Sequence, residues 1–174
     1  DAAALHIGTH GTVQVVDVFT LPETDGVRRV VITDKVITEY TEQLILRPRT
    51  YTMGIGCRRD TPKELILDAI TQSLQTLSPK SIVTAASVIV KQDEVGLLEA
   101  VNELGWSIHF YTQEEIAPVI EEQDLKESTF VKGTIGVGNV CETTALLAAK
   151  SQTLIQYKTV YPKTTVAIAQ VTSK

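Results

Sequence analysis

The chain has 174 residues, 43% hydrophobic and 21% charged, enough for one sizeable folded domain with or without an appendage. No run of about 18 apolar residues occurs, which excludes a membrane-spanning helix. Aromatic content is only 5%, which speaks against stacking on single-stranded nucleic acid. The net charge of −5 is uneven: residues 1–63 hold eight basic and eight acidic side chains, while residues 64–174 hold eight and thirteen. Within the neutral part, residues 47–59 hold four arginines and no acid. That local basic run suits a small anionic ligand better than DNA, which asks for a wider basic face.

In chain order, residues 12–18 and 28–33 read as strands, with turn chemistry at 22–26 between them. Residues 38–45 have the pattern of a short helix, and Arg47-Pro48-Arg49 marks a boundary, so the chain divides into a β-rich linker region (1–49) and an α/β domain (50–174). Residues 51–56, "YTMGIG", form a short strand. A helix follows, with Thr61 as N-cap, Pro62 at its first position and Glu64 closing a capping box. Residues 81–90 read as a buried strand. Asp93 opens a second helix, with Val95, Leu98, Val101 and Leu104 inward and Gly105 as its stop. "WSIHFY" is a strand, and Thr112 and Glu115 form a capping box over a short helix. A short strand and a glycine-rich turn fill 129–138, a helix runs from Asn139 to about Ser151, and two strands joined at Tyr161-Pro162 close the chain. Strand–helix alternation predicts a three-layer α/β/α sandwich with a largely parallel, mixed sheet, preceded by the short β-rich segment.

Two turns attract attention. "GIGCRRD" lies between a strand and a helix, so backbone N–H groups and a helix N-terminus point toward one edge, and Arg58 and Arg59 add carboxylate or phosphate donors. "GTIGVGNVCE" is a second turn of the same kind, and both lie where parallel sheets bind ligands. Neither matches a dinucleotide or P-loop fingerprint. Each also has a plain structural reading, as a tight corner or a close helix–sheet contact. Lys91, Asp93 and Glu94 follow a strand toward that edge. Lys91 is a candidate carboxylate binder, and Glu94 or Glu142 a candidate general base, against the readings of solvated lysine and helix-end acids. Cys57 stands near a helix N-terminus and two arginines, which could lower its pKa, but no histidine is near in sequence, and a small buried thiol is the competing reading. His6, His10, Cys57 and Cys141 match no metal spacing, so no metal site is assigned. The two cysteines read as reduced thiols of a cytoplasmic protein.

Four blocks, "GIGCRRDTPKELI", "ASVIVKQDEVGLLEAVNELGWSIHFY", "GVGNVCETTALLAA" and "KTVYPKTTVAIA", resemble in order the C-terminal domain of the CbiG family of cobalamin biosynthesis, a domain shared with the stand-alone protein CobE. The resemblance spans residues 50–171. It implies a cobalt-precorrin-5A hydrolase, which opens the ring-A lactone of a cobalt tetrapyrrole and releases acetaldehyde. The alternative is a corrinoid-binding carrier without turnover. By the resemblance, the motif positions are Gly54, Gly56, Cys57, Arg58, Arg59, Lys91, Glu94, Gly136 and Glu142. The roles expected of them are our own reading: substrate binding for the glycines, Cys57, Arg58 and Arg59 together with Gly138, and catalysis for Lys91, Glu94 and Glu142. No cofactor is implied, because cobalt arrives with the substrate. The start at Asp1, with Met53 as the one methionine, reads as a fragment or processed form; the resemblance implies that the family's N-terminal domain is absent from it, and a homodimer is left open. Asp60 departs from the family's usual glycine, Cys141 from a small residue and Thr143 from proline.

Overall fold

The computed structural model describes residues 29–37, 43–122 and 139–172. The predicted strand at 12–18 and the glycine-rich turn at 133–138 lie outside them. Seven strands are seen: β1 (Arg29–Ile32), β2 (Gln43–Leu46), β3 (Tyr51–Cys57), β4 (Ile82–Val88), β5 (Ser107–Tyr111), β6 (Leu154–Tyr161) and β7 (Thr164–Gln170). The helices are α1 (Lys63–Leu74), α2 (Val95–Glu103), α3 (Gln113–Glu122) and α4 (Val140–Ala149). β1 and β2 pair in parallel as a small separate sheet, and the main sheet has the order β5-β4-β3-β7-β6. β3, β4 and β5 are parallel, while β7 runs antiparallel to both β3 and β6. The sheet is therefore mixed, with helices on both faces.

The two faces differ in side-chain size, and this places the helices. Met53, Ile55, Val166 and Ile168 pack with Ile66, Ile70 and Leu74 of α1 and Leu97 and Val101 of α2. Strand alternation sends Gly54, Ala86, Ala167 and Ala169 to the opposite face. There α4 approaches closely, with Ala145, Leu146 and Ala149 against Ala169. A Cβ on Gly54 would lie 1.8 Å from the carbonyl oxygen of Cys141, so this glycine is required by the contact between β3 and α4. The Thr52 hydroxyl donates to Ala145 O at 2.7 Å, and Thr144 bonds Val140 O and Ala86 O. Helix α4 thus runs antiparallel to β3 and starts near the carboxyl ends of the parallel strands. α3 packs beside it through Ile116 and Ile120.

Several local expectations are corrected. Residues 43–46 form a strand, not the end of a helix. Helix α1 has Pro62 at its N-cap, with no side-chain capping bond. Thr61 instead donates its hydroxyl to Arg58 O at 2.8 Å, which tightens the preceding turn. Helix α2 begins after Glu94, buries Leu97, Ala100 and Val101, and exposes Val95 and Leu98. Other signals are as read. Gly105 stops α2 at φ +68°. The Thr112–Glu115 box is made reciprocally, at 2.8 and 3.3 Å. The last two strands form an antiparallel hairpin.

The small sheet is tied to the amino end of the main one. Asp34 O accepts from Ser78 N at 2.7 Å and from the Ser81 hydroxyl at 3.0 Å, and its carboxylate accepts from the Tyr51 hydroxyl at 2.5 Å. Among the described residues no helix is long and apolar enough to cross a membrane.

Candidate functional site at the carboxyl edge

The turns after β3 and β4 meet at the carboxyl edge and are locked by charge. Arg59 places Nη1 2.6 Å from Asp93 Oδ1 and 3.0 Å from Glu94 Oε1, and its Nη2 donates to Val90 O at 2.8 Å. Lys91 Nζ lies 3.2 Å from the same Glu94 Oε1. The second oxygen of Glu94 accepts from Asp60 N–H at 3.1 Å. Glu94 and Lys91 are both buried, at 4% and 9% exposure. A carboxylate out of water needs such donors, and here one carboxylate holds two cations and a backbone amide. The pairing with Arg59 holds the Asp93 carboxyl below its usual range. Cys57, Arg59, Lys91 and Glu94 are thus brought together on the α1 side of the sheet.

Asp60, where the resemblance leads to an expectation of glycine, has φ +55°. That is the left-handed region glycine enters freely and aspartate tolerates. The departure is conformationally intelligible, and its side chain remains exposed.

Glu142 sits apart from this cluster, in the first turn of α4 on the other face. It is buried, accepts from Lys158 N–H at 2.8 Å, and is bonded by the Asn139 amide. The Asn139 side chain in turn caps the helix by accepting from Glu142 N–H at 3.4 Å. Thr143 uses its hydroxyl on Asn139 O and Val140 O. Glu142 therefore ties the start of α4 to strand β6. Gly56 also faces α4, where a Cβ would meet the Thr165 hydroxyl at 2.6 Å. Gly136 and Gly138 lie outside the described residues.

Burial pushes the Cys57 thiol up to about 11, in spite of Lys91 and Arg59 nearby. The expectation of a lowered value fails because desolvation outweighs the neighbouring cations. Cys141 is likewise pushed up to about 11 by burial, and Tyr51 to about 12 by burial and Asp34. Unfolded thiols ionise from about 9.0, so between 9 and 11 the folded state binds more protons. Stability is then complete below pH 9 and declines as pH rises through 11. Thermal melts from pH 7 to 11 should show this decline, and Cys141→Ala should lessen it. A melting temperature constant to pH 11 would contradict the assignment.

Arg58 differs from Arg59. Its backbone N–H donates to Lys163 O at 2.9 Å, its side chain is exposed, and no ion pair forms to a described residue. The sequence does not separate the two arginines, and it singles out as a site residue neither Asn139, which bonds Glu142, nor Lys163, which accepts from the Arg58 amide. Asn139 was visible as the N-cap three residues before Glu142, whereas Lys163 carried no local signal. Among the described residues, no group of three His, Cys, Asp or Glu side chains could hold a metal ion.

The sequence profile described as "Cobalamin synthesis G C-terminus" matches residues 51–169. The chain is 31% identical over 146 residues to a cobalt-precorrin-5A hydrolase of Salmonella typhimurium, covering 83% of this chain and 41% of that protein. It therefore spans about two fifths of that curated relative's length. Among solved structures, CobE, a protein from the cobalamin biosynthetic pathway, superposes with a TM-score of 0.64 at 24% identity, over 71% of this chain and 92% of CobE. At that identity the likeness speaks to the fold alone. The cobalamin biosynthesis protein chiG of Agrobacterium tumefaciens superposes with a TM-score of 0.56 at 29% identity, over 71% of this chain and 99% of chiG.

Proposed function

The chain belongs to the cobalamin synthesis G C-terminus family, and from that premise we propose that it is the C-terminal part of a cobalt-precorrin-5A hydrolase. The reaction is hydrolysis of the ring-A lactone of a cobalt tetrapyrrole, followed by loss of a two-carbon unit as acetaldehyde. The observation that carries this reading is the 31% identity to the Salmonella enzyme over 83% of the chain.

The carboxyl edge suits the chemistry. A tetrapyrrole is a broad plate rimmed with acetate and propionate carboxylates, so it needs separated donors on an open edge rather than one deep cavity. Two open clefts, of about 600 and 560 Å³, lie at the opposite end of the sheet, one beside Pro79 and Trp106 and the other beside Lys150 and Thr172. They are not near the family-motif residues. At the carboxyl edge Arg58 is an exposed guanidinium with no ion pair to a described residue, and so is available to a rim carboxylate. Arg59 and Glu94 fix the turn that presents it, and Lys91 is a cation held within that frame. Cys57, kept as a thiol by burial, is unsuited to nucleophilic attack at neutral pH. Water attack on the lactone therefore falls to a general base, with Glu142 and Glu94 as the candidates on this chain and the rest of the site on the remainder of the protein.

The test uses the full-length protein, anaerobic substrate and an acetaldehyde assay. Arg58→Ala should lower kcat/KM by about tenfold, mostly through KM, as expected for loss of one charge-assisted contact made in both ground and transition states. Unchanged kinetics would remove Arg58 from the site. Tight binding by the full-length protein without acetaldehyde would favour a carrier over a hydrolase.

A further inference from the structure

Among the described residues, four non-glycine residues have positive φ: Asp60, Gln75, Lys150 and Lys163. Lys150 ends α4 in the left-handed region, which is ordinary at a helix C-terminus, and Gln75 ends α1 at φ +51° and ψ −104°, at the corner where the helix gives way to the following turn. Lys163 is different. Tyr161 pairs with Thr164, so Pro162 and Lys163 form a two-residue loop. Proline fixes the first position, and the second, at φ +58°, is where glycine or asparagine is favoured. Lysine there carries the Cβ penalty of the left-handed region, and the turn gives no reason for it. Such an outlier is a legitimate starting point for a functional hypothesis.

A second observation concerns charge. The β3–β7 register ends at Cys57 opposite Thr164, and the next pair, Arg58 and Lys163, is joined by the 2.9 Å bond from Arg58 N–H to Lys163 O. Arg58 directly follows β3 and Lys163 directly precedes β7, so two cations stand at facing positions of the chain and repel. Neither has an ion pair with a described residue, in contrast to Arg59 and Lys91 beside them. The exposed Asp60 carboxylate, two residues from Arg58, forms no ion pair with either.

We infer that Lys163 is a substrate-binding residue, and that Arg58 and Lys163 together clasp one carboxylate on the rim of the tetrapyrrole. A bound carboxylate offsets the repulsion between the two cations and gives the strained lysine its reason. The inference rests on the reading in the preceding section and names a residue of that site beyond the motif positions.

The experiment is an anaerobic absorbance titration of the full-length protein with cobalt-precorrin-5A, alongside thermal melts and acetaldehyde release. Lys163→Gly should raise Tm by about 2–4 °C, weaken binding about tenfold, and flatten the salt dependence of Kd. Lys163→Arg should bind as the wild type does. A more stable Lys163→Gly protein with unchanged affinity would overturn the clasp and leave the hydrolase reading intact. Wild-type binding without acetaldehyde, with the Lys163→Gly loss still seen, would support the clasp and overturn the hydrolase. No binding by the wild type overturns both.

Discussion

Gly54→Ala is expected to destabilise the domain by at least about 3 kcal/mol, or to prevent its folding. The added Cβ would lie 1.8 Å from Cys141 O, 2.7 Å from Cys141 C and 2.9 Å from Ala145 N. All three atoms are backbone of α4, so no rotamer change relieves the overlap. Relief requires the helix to lift off β3, which breaks the Thr52–Ala145 bond and opens the contact with Ala167 and Ala169. Overpacking of a well-packed core commonly costs about 1–3 kcal/mol, and a clash against immovable backbone belongs at or above the top of that range. Gly56→Ala is the control. Its Cβ meets only the Thr165 hydroxyl, at 2.6 Å, a side-chain atom that can rotate, so its cost should stay near 1 kcal/mol. Urea unfolding of both variants checks the pair. A Gly54→Ala protein within 1 kcal/mol of wild type would mean that α4 does not approach β3 as described.

Much of this architecture is legible in the sequence where a local rule dominates. The Thr112–Glu115 box, the Gly105 stop and the apolar runs of β3 and β4 each answer to short-range chemistry. Helix α2 shows where such rules stop. A 3.6-residue period identifies the helix, but Val95, Leu98 and Leu97 all fit some apolar stripe, and only packing against α1 chooses Leu97 and Ala100 for the core. "QLIL" is too short for periodicity to separate strand from helix, and its pairing with β1 decides. The placement of β7 between β3 and β6 is a long-range pairing with no local signature.

The candidate site divides in the same way. Each of Arg58, Arg59, Lys91, Glu94 and Glu142 was visible as a charged residue on the carboxyl edge. What the sequence did not show is that Arg59 and Lys91 share Glu94 across 35 and 3 positions, while Arg58 donates its backbone N–H to Lys163 O. Neighbours in sequence thus have different tasks: Arg59 holds the turn, and Arg58 faces outward. Lys163 has no local signal in the sequence, because what singles it out is a backbone angle and a bond from the Arg58 amide, more than a hundred positions away.

Glu94→Ala carries the other large effect. The substitution removes the acceptor shared by Lys91 Nζ, Arg59 Nη1 and the Asp60 amide. Lys91 is 9% exposed and would be left as a buried cation without a counter-charge, the situation in which deleting one partner costs about 3–5 kcal/mol. Glu94→Gln is the informative companion. It keeps an oxygen for the Asp60 amide and nearly the same volume, but loses the charge. If Glu94 acts as the general base, Glu94→Gln should abolish acetaldehyde release with substrate binding (Kd) little changed. If it acts as the clamp of the two turns, Glu94→Gln should lower stability by an intermediate amount and raise KM, because the turn presenting Arg58 is loosened. The geometry favours the clamp: the Glu94 carboxylate is only 4% exposed and already accepts from two cations and a backbone amide, so little of it faces an attacking water. Glu142 is similarly engaged, by Lys158 N–H and the Asn139 amide. Side-by-side steady-state kinetics and urea melts of Glu94→Gln and Glu142→Gln in the full-length protein should therefore show binding and stability losses in both. Complete loss of turnover in either variant, with stability and the Kd for substrate preserved, would identify that residue as the base and overturn the clamp for it.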